Sequence, residues 1–505
     1  MEVISQLMHG FSVALTPVNL VYAFIGALVG TLIGVLPGIG PLGAMAILLS
    51  YTLSLNPVTA MILFAGIYYG SMYGGSTTSI LLNIPGESAS VVTAIDGFKM
   101  AQKGRAGAAL TVSAIGSFVA GTVSIVGLMF LATTLADTAL KFGAPEYFAI
   151  AIVGLIILSR LQGGSLVKSL MMVSAGLMLS TVGTDQLSGK LRFTFGHIEL
   201  GQGIDFLPVA MGLFGIAEVL SALEEKVTEA EIFKVGFRDM FPTLTEWKRS
   251  VWPIIRGSFL GFGLGLLPGP SPVISTFASY AMEKKLSKHP EEFGEGAIEA
   301  VAGPEAANNA AVGGAYVPLM ALGIPFTPAM AMVLGALMLH GVTPGPLMME
   351  QSPDLFWGVI ASMYIGNFML LVLNLPLVGL FTSILKIPQN LLLPLVIVFC
   401  LVGVFSLNTS FLDLWVLVIL GLLGHILRKL DFDIAPFVLA LVIGPMLETN
   451  LRQSMTIFHG DFTRFFFRPI SGTLLWIAVV ILVYPLAKKL FAGKGKVSAE
   501  AKPSH

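Results

Sequence analysis

The residues best placed to do chemistry stand at two breaks in apolar sequence. Pro37-Gly38-Ile39-Gly40-Pro41 and Pro268-Gly269-Pro270-Ser271-Pro272 each end a hydrophobic stretch with glycine at every fourth position, Gly26/Gly30/Gly34 before the first and Gly257/Gly261/Gly265 before the second. The offset is constant: Gly26 to Gly257 and Pro37 to Pro268 are both 231 residues (257 − 26; 268 − 37). Proline and glycine stop a helix and free amides and carbonyls that hydrocarbon cannot satisfy. Such backbone survives at membrane depth only inside protein or beside a water-filled cavity. Amides at helix N-termini can hold an anion there without an arginine, which makes Gly38, Gly40, Gly269 and Ser271 candidate substrate contacts. The glycine ladders also suit close helix packing with no ligand at all.

Two further clusters carry oxygen and nitrogen ligands. Ser76, Thr77, Thr78, Ser79 and Asn83 follow Gly74-Gly75, and Pro304-Glu305-Ala-Ala-Asn308-Asn309 opens a charge-free run from Ala306 to Met349. Ser76, Thr77, Thr78, Asn308 and Asn309 are candidates for binding a carboxylate substrate. Ser71, Asn83, Asn308 and Asn309 are candidates for a sodium ion, a hard cation that takes oxygen ligands. Polar residues of this kind also serve as interhelical glue. Glu305, at the edge of its run, reads as interfacial and solvated, whereas adjacent asparagines in apolar sequence are costly to bury without a role. His340, alone in a neutral stretch, reads first as packed and hydrogen-bonded, and second as a proton relay.

The elements that must position these residues are membrane helices. The chain has 505 residues, 55% hydrophobic and only 11% charged, with mean hydropathy +0.86, against about 25% charged in a soluble domain. No Asp, Glu, Lys or Arg occurs from Val3 to Gly86, and a spanning helix needs about 20 such residues. The expectation is an all-α, polytopic membrane protein of about 12 hydrophobic segments, in two inverted repeats with re-entrant or broken helices. The repeats are 1–223 and 251–468, joined by a cytoplasmic linker at 224–250 and followed by a last helix and basic tail at 469–505. Val18–Leu55 and Ser250–Met282 would be matching hairpins, each too short for two full crossings of about 20 residues apiece.

A second correspondence supports the duplication: Gly75 pairs with Gly314 and Pro85 with Pro325, offset by 239 and 240 (314 − 75; 325 − 85). Lysines and arginines around the central island and in the tail place both in the cytoplasm, with the N-terminus outside. Arg464 and Arg468 would then lie outside, against that tendency. One cysteine, Cys400, excludes an internal disulfide, and net charge −1 disfavours nucleic acid as a partner. No Ser-His-Asp spacing, His-Glu-x-x-His or P-loop appears, so neither an intramembrane enzyme nor ATP-driven transport is indicated. No cofactor is expected beyond a coupling ion, Na⁺ or H⁺. The competing reading is a passive channel or scaffold for an organic anion.

Several motifs resemble the TctA family, the large permease subunit of tripartite tricarboxylate transporters. They are Gly34-Val-Leu-Pro-Gly-Ile-Gly-Pro41, Gly66-Ile-Tyr-Tyr-Gly-Ser-Met-Tyr-Gly-Gly-Ser76, Leu82-Asn-Ile-Pro-Gly-Glu-Ser88, Asp96-Gly97, Gly303-Pro-Glu-Ala-Ala-Asn-Asn-Ala310, Leu322-Gly-Ile-Pro325 and His340-Gly-Val-Thr-Pro-Gly-Pro346. The likeness runs from about Val18 to Leu490 and departs from the family pattern at Pro268–Pro272. It implies an ion-coupled importer of citrate or other carboxylates in a bacterial inner membrane. It also implies two partners, a small four-helix membrane subunit and a periplasmic solute-binding protein.

Overall fold

The structure, a computed structural model, describes residues 2–36, 40–161, 165–185, 187–224, 237–375 and 389–496. Pro37, Gly38 and Ile39 of the first break, residues 225–236 of the central linker and the last nine residues lie outside them. The first half comprises α1 (Glu2–Ala14), α2 (Pro17–Val35), α3 (Gly40–Thr52), α4 (Pro57–Leu82), α5 (Val91–Gln102), α6 (Ala106–Ala139), α7 (Ala144–Leu161) and α8 (Leu166–Ser180). A short antiparallel hairpin, β1 (Gly183–Thr184) and β2 (Leu191–Arg192), leads to α9 (Phe206–Glu224), which widens into a π-helical stretch at Met211–Ile216. Next come α10 (Leu244–Gly265), α11 (Ser271–Leu286), α12 (Glu299–Leu322), α13 (Pro328–Leu339), α14 (Pro353–Asn374), α15 (Gln389–Asn408), α16 (Phe411–Lys429), α17 (Ala435–Ile457) and α18 (Pro469–Lys496).

Local chemistry explains the helix ends. Pro17, Pro57 and Pro353 sit in the first turn of α2, α4 and α14, where a missing N–H costs nothing. Thr243 and Glu246 form a reciprocal capping box at the start of α10. That helix therefore begins at Leu244, inside the stretch read from sequence as linker. Five helices are long and apolar enough to cross a membrane, and six shorter apolar helices accompany them among the described residues. The chain is an all-α, multi-pass membrane protein.

The duplicated segments pack in the same register. A side chain added at Gly26, Gly30 or Gly34 would come within 2.5, 2.5 and 2.3 Å of the carbonyl oxygens of Leu63, Ile67 and Ser71 on α4. At Gly257, Gly261 and Gly265 it would come within 2.4, 2.1 and 2.5 Å of those of Gly303, Ala307 and Ala311 on α12. Each partner pair is offset by 240 residues (303 − 63; 307 − 67; 311 − 71). Only glycine lets the helices approach this closely. Gly74 meets Thr31 as Gly314 meets Phe262, so Gly74, rather than Gly75, is the counterpart of Gly314. The same offset relates the left-handed residues that end α4 and α12, Asn83 (φ 57°) and Gly323 (φ 72°). These two helices form the centre of the molecule, buried from Thr59 to Leu82 and from Glu299 to Ala321.

Candidate functional site

A cavity of about 860 Å³ collects the broken places of both halves, within the range of about 300–1,000 Å³ usual for small-molecule sites. Its wall includes Gly40-Pro41 from the first break, Pro270 and Pro272 from the second, Pro85–Ser88 after α4, and Thr327–Ala329 after α12. Among the described residues, the first turns of six helices line it: α3, α5, α8, α11, α13 and α17. Each N-terminus presents a partial positive charge of about half a unit. Side-chain caps occupy some of these amides. Thr327 accepts from Met330 N at 3.2 Å and Asp433 from Ala435 N at 2.8 Å, whereas α8 and α11 have no side-chain cap. The second break is braced by a bond from Gly269 N to Phe326 O at 2.9 Å.

Two cations stand on the same wall, contrary to the reading of an arginine-free site. Lys168 donates to Leu430 O at 2.6 Å and lies 5.1 Å over the Phe432 ring. Arg428 pairs with Glu218. Lys168 is the one charged residue of α8, which was the signal available in the sequence. Arg428 was hidden in a charged cluster that reads as solvent-facing.

The long central helices reach across to each other's caps. Asn308 on α12 donates to Glu87 Oε1 at 3.4 Å, and Glu87 caps the turn before α5 by accepting from Ala89 N at 2.8 Å. Tyr68 on α4 stands beside Thr327, the cap of α13, on the cavity wall. Tyr68 and Asn308 differ by 240, as do Glu87 and Thr327, so the two contacts are counterparts under the duplication. Glu87, Tyr68 and Thr327 all face the cavity.

The remaining candidates sit deeper. Ser71, Ser76, Thr77 and Thr78 are buried in α4, off the cavity wall, and each hydroxyl bonds a carbonyl of its own helix. Asn83 is exposed, and its visible role is the left-handed helix end. Ser271 is buried with its hydroxyl unpartnered. Asn308 and Asn309 are fully buried, and both side-chain oxygens lack a donor. Glu305 departs from expectation. Rather than lying solvated at an interface, it is 0% exposed and accepts hydrogen bonds from Ser76 (2.5 Å), Thr93 and Ser113 (3.1 Å). Pro304-Glu305 lies in the second turn of a helix that starts at Glu299, which pulls it inward. His340 ends α13, its Nε2 buried without a partner.

A second cavity, of about 770 Å³, lies further along three of the same helices. Leu179-Ser180 of α8, Gly335 and Met338 of α13, and Leu441 and Pro445 of α17 line it, together with the ion pairs of Arg192 with Glu448 and Arg452 with Asp185. From Ala329 to Gly335, and from Ala435 to Leu441, the separation is six residues. At 1.5 Å per residue the partition is about 9 Å thick along α13 and α17, and about 15 Å along α8, from Ser169 to Leu179.

Residues 20–439 match the tripartite tricarboxylate transporter TctA family. The chain belongs to that family. Its members are the large subunits of tripartite tricarboxylate transporters, and the protein is accordingly a transporter component rather than an enzyme. A relative from Agrobacterium vitis, described as an uncharacterized 52.8 kDa protein in the TAR-I ttuC' 3' region, is 49% identical over 500 residues, 99% of each chain. Another from that organism, an uncharacterized protein in the TAR-II ttuC' 3' region, is 46% identical over 237 residues, 47% of this chain and 98% of its own. No solved structure matches the chain.

Proposed function

We propose that the protein is the translocating subunit of a cation-coupled importer of small carboxylates, and that the 860 Å³ cavity binds the substrate. The observation that carries the reading is the convergence of six helix N-termini, with Lys168 and Arg428, on one cavity formed by the breaks of both halves. Each N-terminus contributes about 0.3–1 kcal/mol toward an anion at an exposed site and up to about 2 kcal/mol when partly buried. Several together with the Lys168 ammonium suit a di- or tricarboxylate, and Arg428 is already paired with Glu218.

The two cavities, which follow one another along α8, α13 and α17, suit alternating access, since only the partition between them must open and close. In this reading the halves are inverted repeats and the coupling ion is Na⁺ or H⁺. A small four-helix membrane subunit and a periplasmic binding protein complete the system in a bacterial inner membrane, and the C-terminus is cytoplasmic. A passive channel would need a continuous path, whereas the two cavities are separated by a partition about 9 Å thick along α13 and α17.

Uptake of radiolabelled carboxylates into proteoliposomes holding the complete system, with and without a sodium or proton gradient, tests the proposal. Accumulation against a concentration gradient is expected with one of the two ion gradients. Uptake that only equilibrates, and ignores both gradients, contradicts it.

A further inference from the structure

Glu305 is a carboxylate in the middle of the protein with no Lys, Arg or His bonded to it among the described residues. Its neighbours are oxygens. Ser76 comes from α4, Thr93 from α5 and Ser113 from α6, so four helices meet at this one group. The Ser76 hydroxyl has one proton and two acceptors, Met72 O at 2.9 Å and Glu305 Oε2 at 2.5 Å. It cannot donate to both at once. Three and four residues further along α12, on the same helix face, Asn308 and Asn309 each bury an amide oxygen that has no donor. The Asn309 amide is anchored beside the site, donating to Ser117 Oγ at 2.7 Å and to Glu305 O at 3.3 Å.

An uncompensated buried charge is expensive, and buried charges are accordingly paired or bind a metal ion. A proton on Glu305 would cancel the charge but could serve only one of the two orphaned amide oxygens. One cation of unit charge answers both demands, because hard cations take oxygen ligands. A divalent ion would leave a net positive charge in the same buried place. We propose that Glu305, with the hydroxyls of Ser76, Thr93 and Ser113 and the side-chain oxygens of Asn308 and Asn309, forms a sodium site between the two halves of the protein.

The site also explains how a cation would govern the anion, a point that rests on the carboxylate-import reading above. Thr93 lies in the first turn of α5, directly after the Glu87–Ser90 turn that walls the cavity, and Asn308 joins the site's helix to Glu87. Ion binding at Glu305 would fix that wall in place, and by linkage a bound anion would raise sodium affinity by the same factor.

Purified full-length protein in nanodiscs, titrated with NaCl against choline chloride at constant ionic strength, tests the site without any substrate. Thermal unfolding and ²²Na⁺ binding are the readouts. Saturable sodium-specific stabilisation is expected in the native protein. Glu305→Gln should abolish it, and Ser76→Ala and Thr93→Val, which keep the carboxylate, should each raise the half-saturating sodium about tenfold, the equivalent of about 1.4 kcal/mol. Native midpoints in choline show that the variants fold. Absence of sodium stabilisation in the native protein, or unchanged half-saturation in Glu305→Gln or in both hydroxyl variants, overturns the site. Sodium binding at Glu305 with uncoupled uptake would overturn the transport reading alone, whereas sodium-driven uptake that survives Glu305→Gln would overturn the site alone.

Discussion

The crossed contacts of Tyr68 with Thr327 and Asn308 with Glu87 make a quantitative prediction. Each ties the central helix of one half to the cap of the other, at the cavity wall. Hydrogen bonds to charged groups are worth about 1.5–3 kcal/mol, and neutral ones about 0.5–1.5 kcal/mol. The Asn308–Glu87 bond is long, 3.4 Å, and burial disfavours the charged form of Glu87, which places the bond in the neutral range, about 0.5–1.5 kcal/mol. Asn308→Ala should therefore weaken apparent substrate affinity about two- to tenfold. Tyr68→Phe removes only the hydroxyl beside Thr327 and leaves the Thr327 cap of α13 intact, so the expected loss is about twofold. The assay is the concentration dependence of carboxylate uptake by the reconstituted complex, with gel filtration confirming folded protein. If the braces act independently, the double variant loses the product of the two factors. Native half-saturation in both single variants, in folded protein, refutes the idea that these contacts hold the wall.

Other perturbations follow from geometry. Gly261→Ala should destabilise by about 1–3 kcal/mol, because its added carbon would sit 2.1 Å from Ala307 O; Gly263→Ala, with nothing within 4 Å, should be neutral or stabilising by up to about 1 kcal/mol, as thermal unfolding will show. Gly86→Ala should abolish uptake while leaving membrane insertion intact, because the new carbon would lie 1.9 Å from Gly34 O and 2.7 Å from Thr78 Oγ1 and would displace the Pro85–Ser88 wall. The Arg249 guanidinium, 2.5 Å away, holds the Glu292 carboxyl below its ordinary range. The stability it contributes is complete above the ordinary carboxylate range, near pH 4, and fades as pH falls through the lowered value. Acidification from pH 7 to 3 should thus lower the unfolding midpoint more in the native protein than in Arg249→Gln.

Much of the architecture was legible because bilayer physics restricts the alternatives. Long charge-free runs admit only helices, and the 231-residue offset between the Pro-Gly breaks announced a duplication that the Gly26–Leu63 and Gly257–Gly303 contacts repeat in register. Function was less legible, because the site is assembled from residues far apart in sequence. Thr327 could have been found as the counterpart of Glu87 under the 240-residue offset. Thr93 and Ser113 could not, since nothing local marks a hydroxyl that points at a carboxylate 212 or 192 residues away. Glu305 was misplaced for a related reason: its position at the edge of an apolar run suggested an interface, while α12 in fact begins six residues earlier. The hydroxyls of Ser76, Thr77 and Thr78 looked like one ligand cluster, yet successive residues of a helix face different ways, and only Ser76 reaches Glu305.

The claim that the cavity between the breaks holds the carboxylate is tested most directly by ligand protection. With Cys400 replaced by serine, single cysteines would be placed at Val91 and Val273 on the cavity wall, and at Phe195 in an exposed loop as control. Labelling by a small hydrophilic thiol reagent would be followed with citrate and a panel of di- and tricarboxylates, in sodium and in choline. The account predicts that at least one carboxylate slows labelling at Val91 and Val273 and leaves Phe195 unchanged. Equal rates at both wall positions with every carboxylate, in either salt, would contradict it.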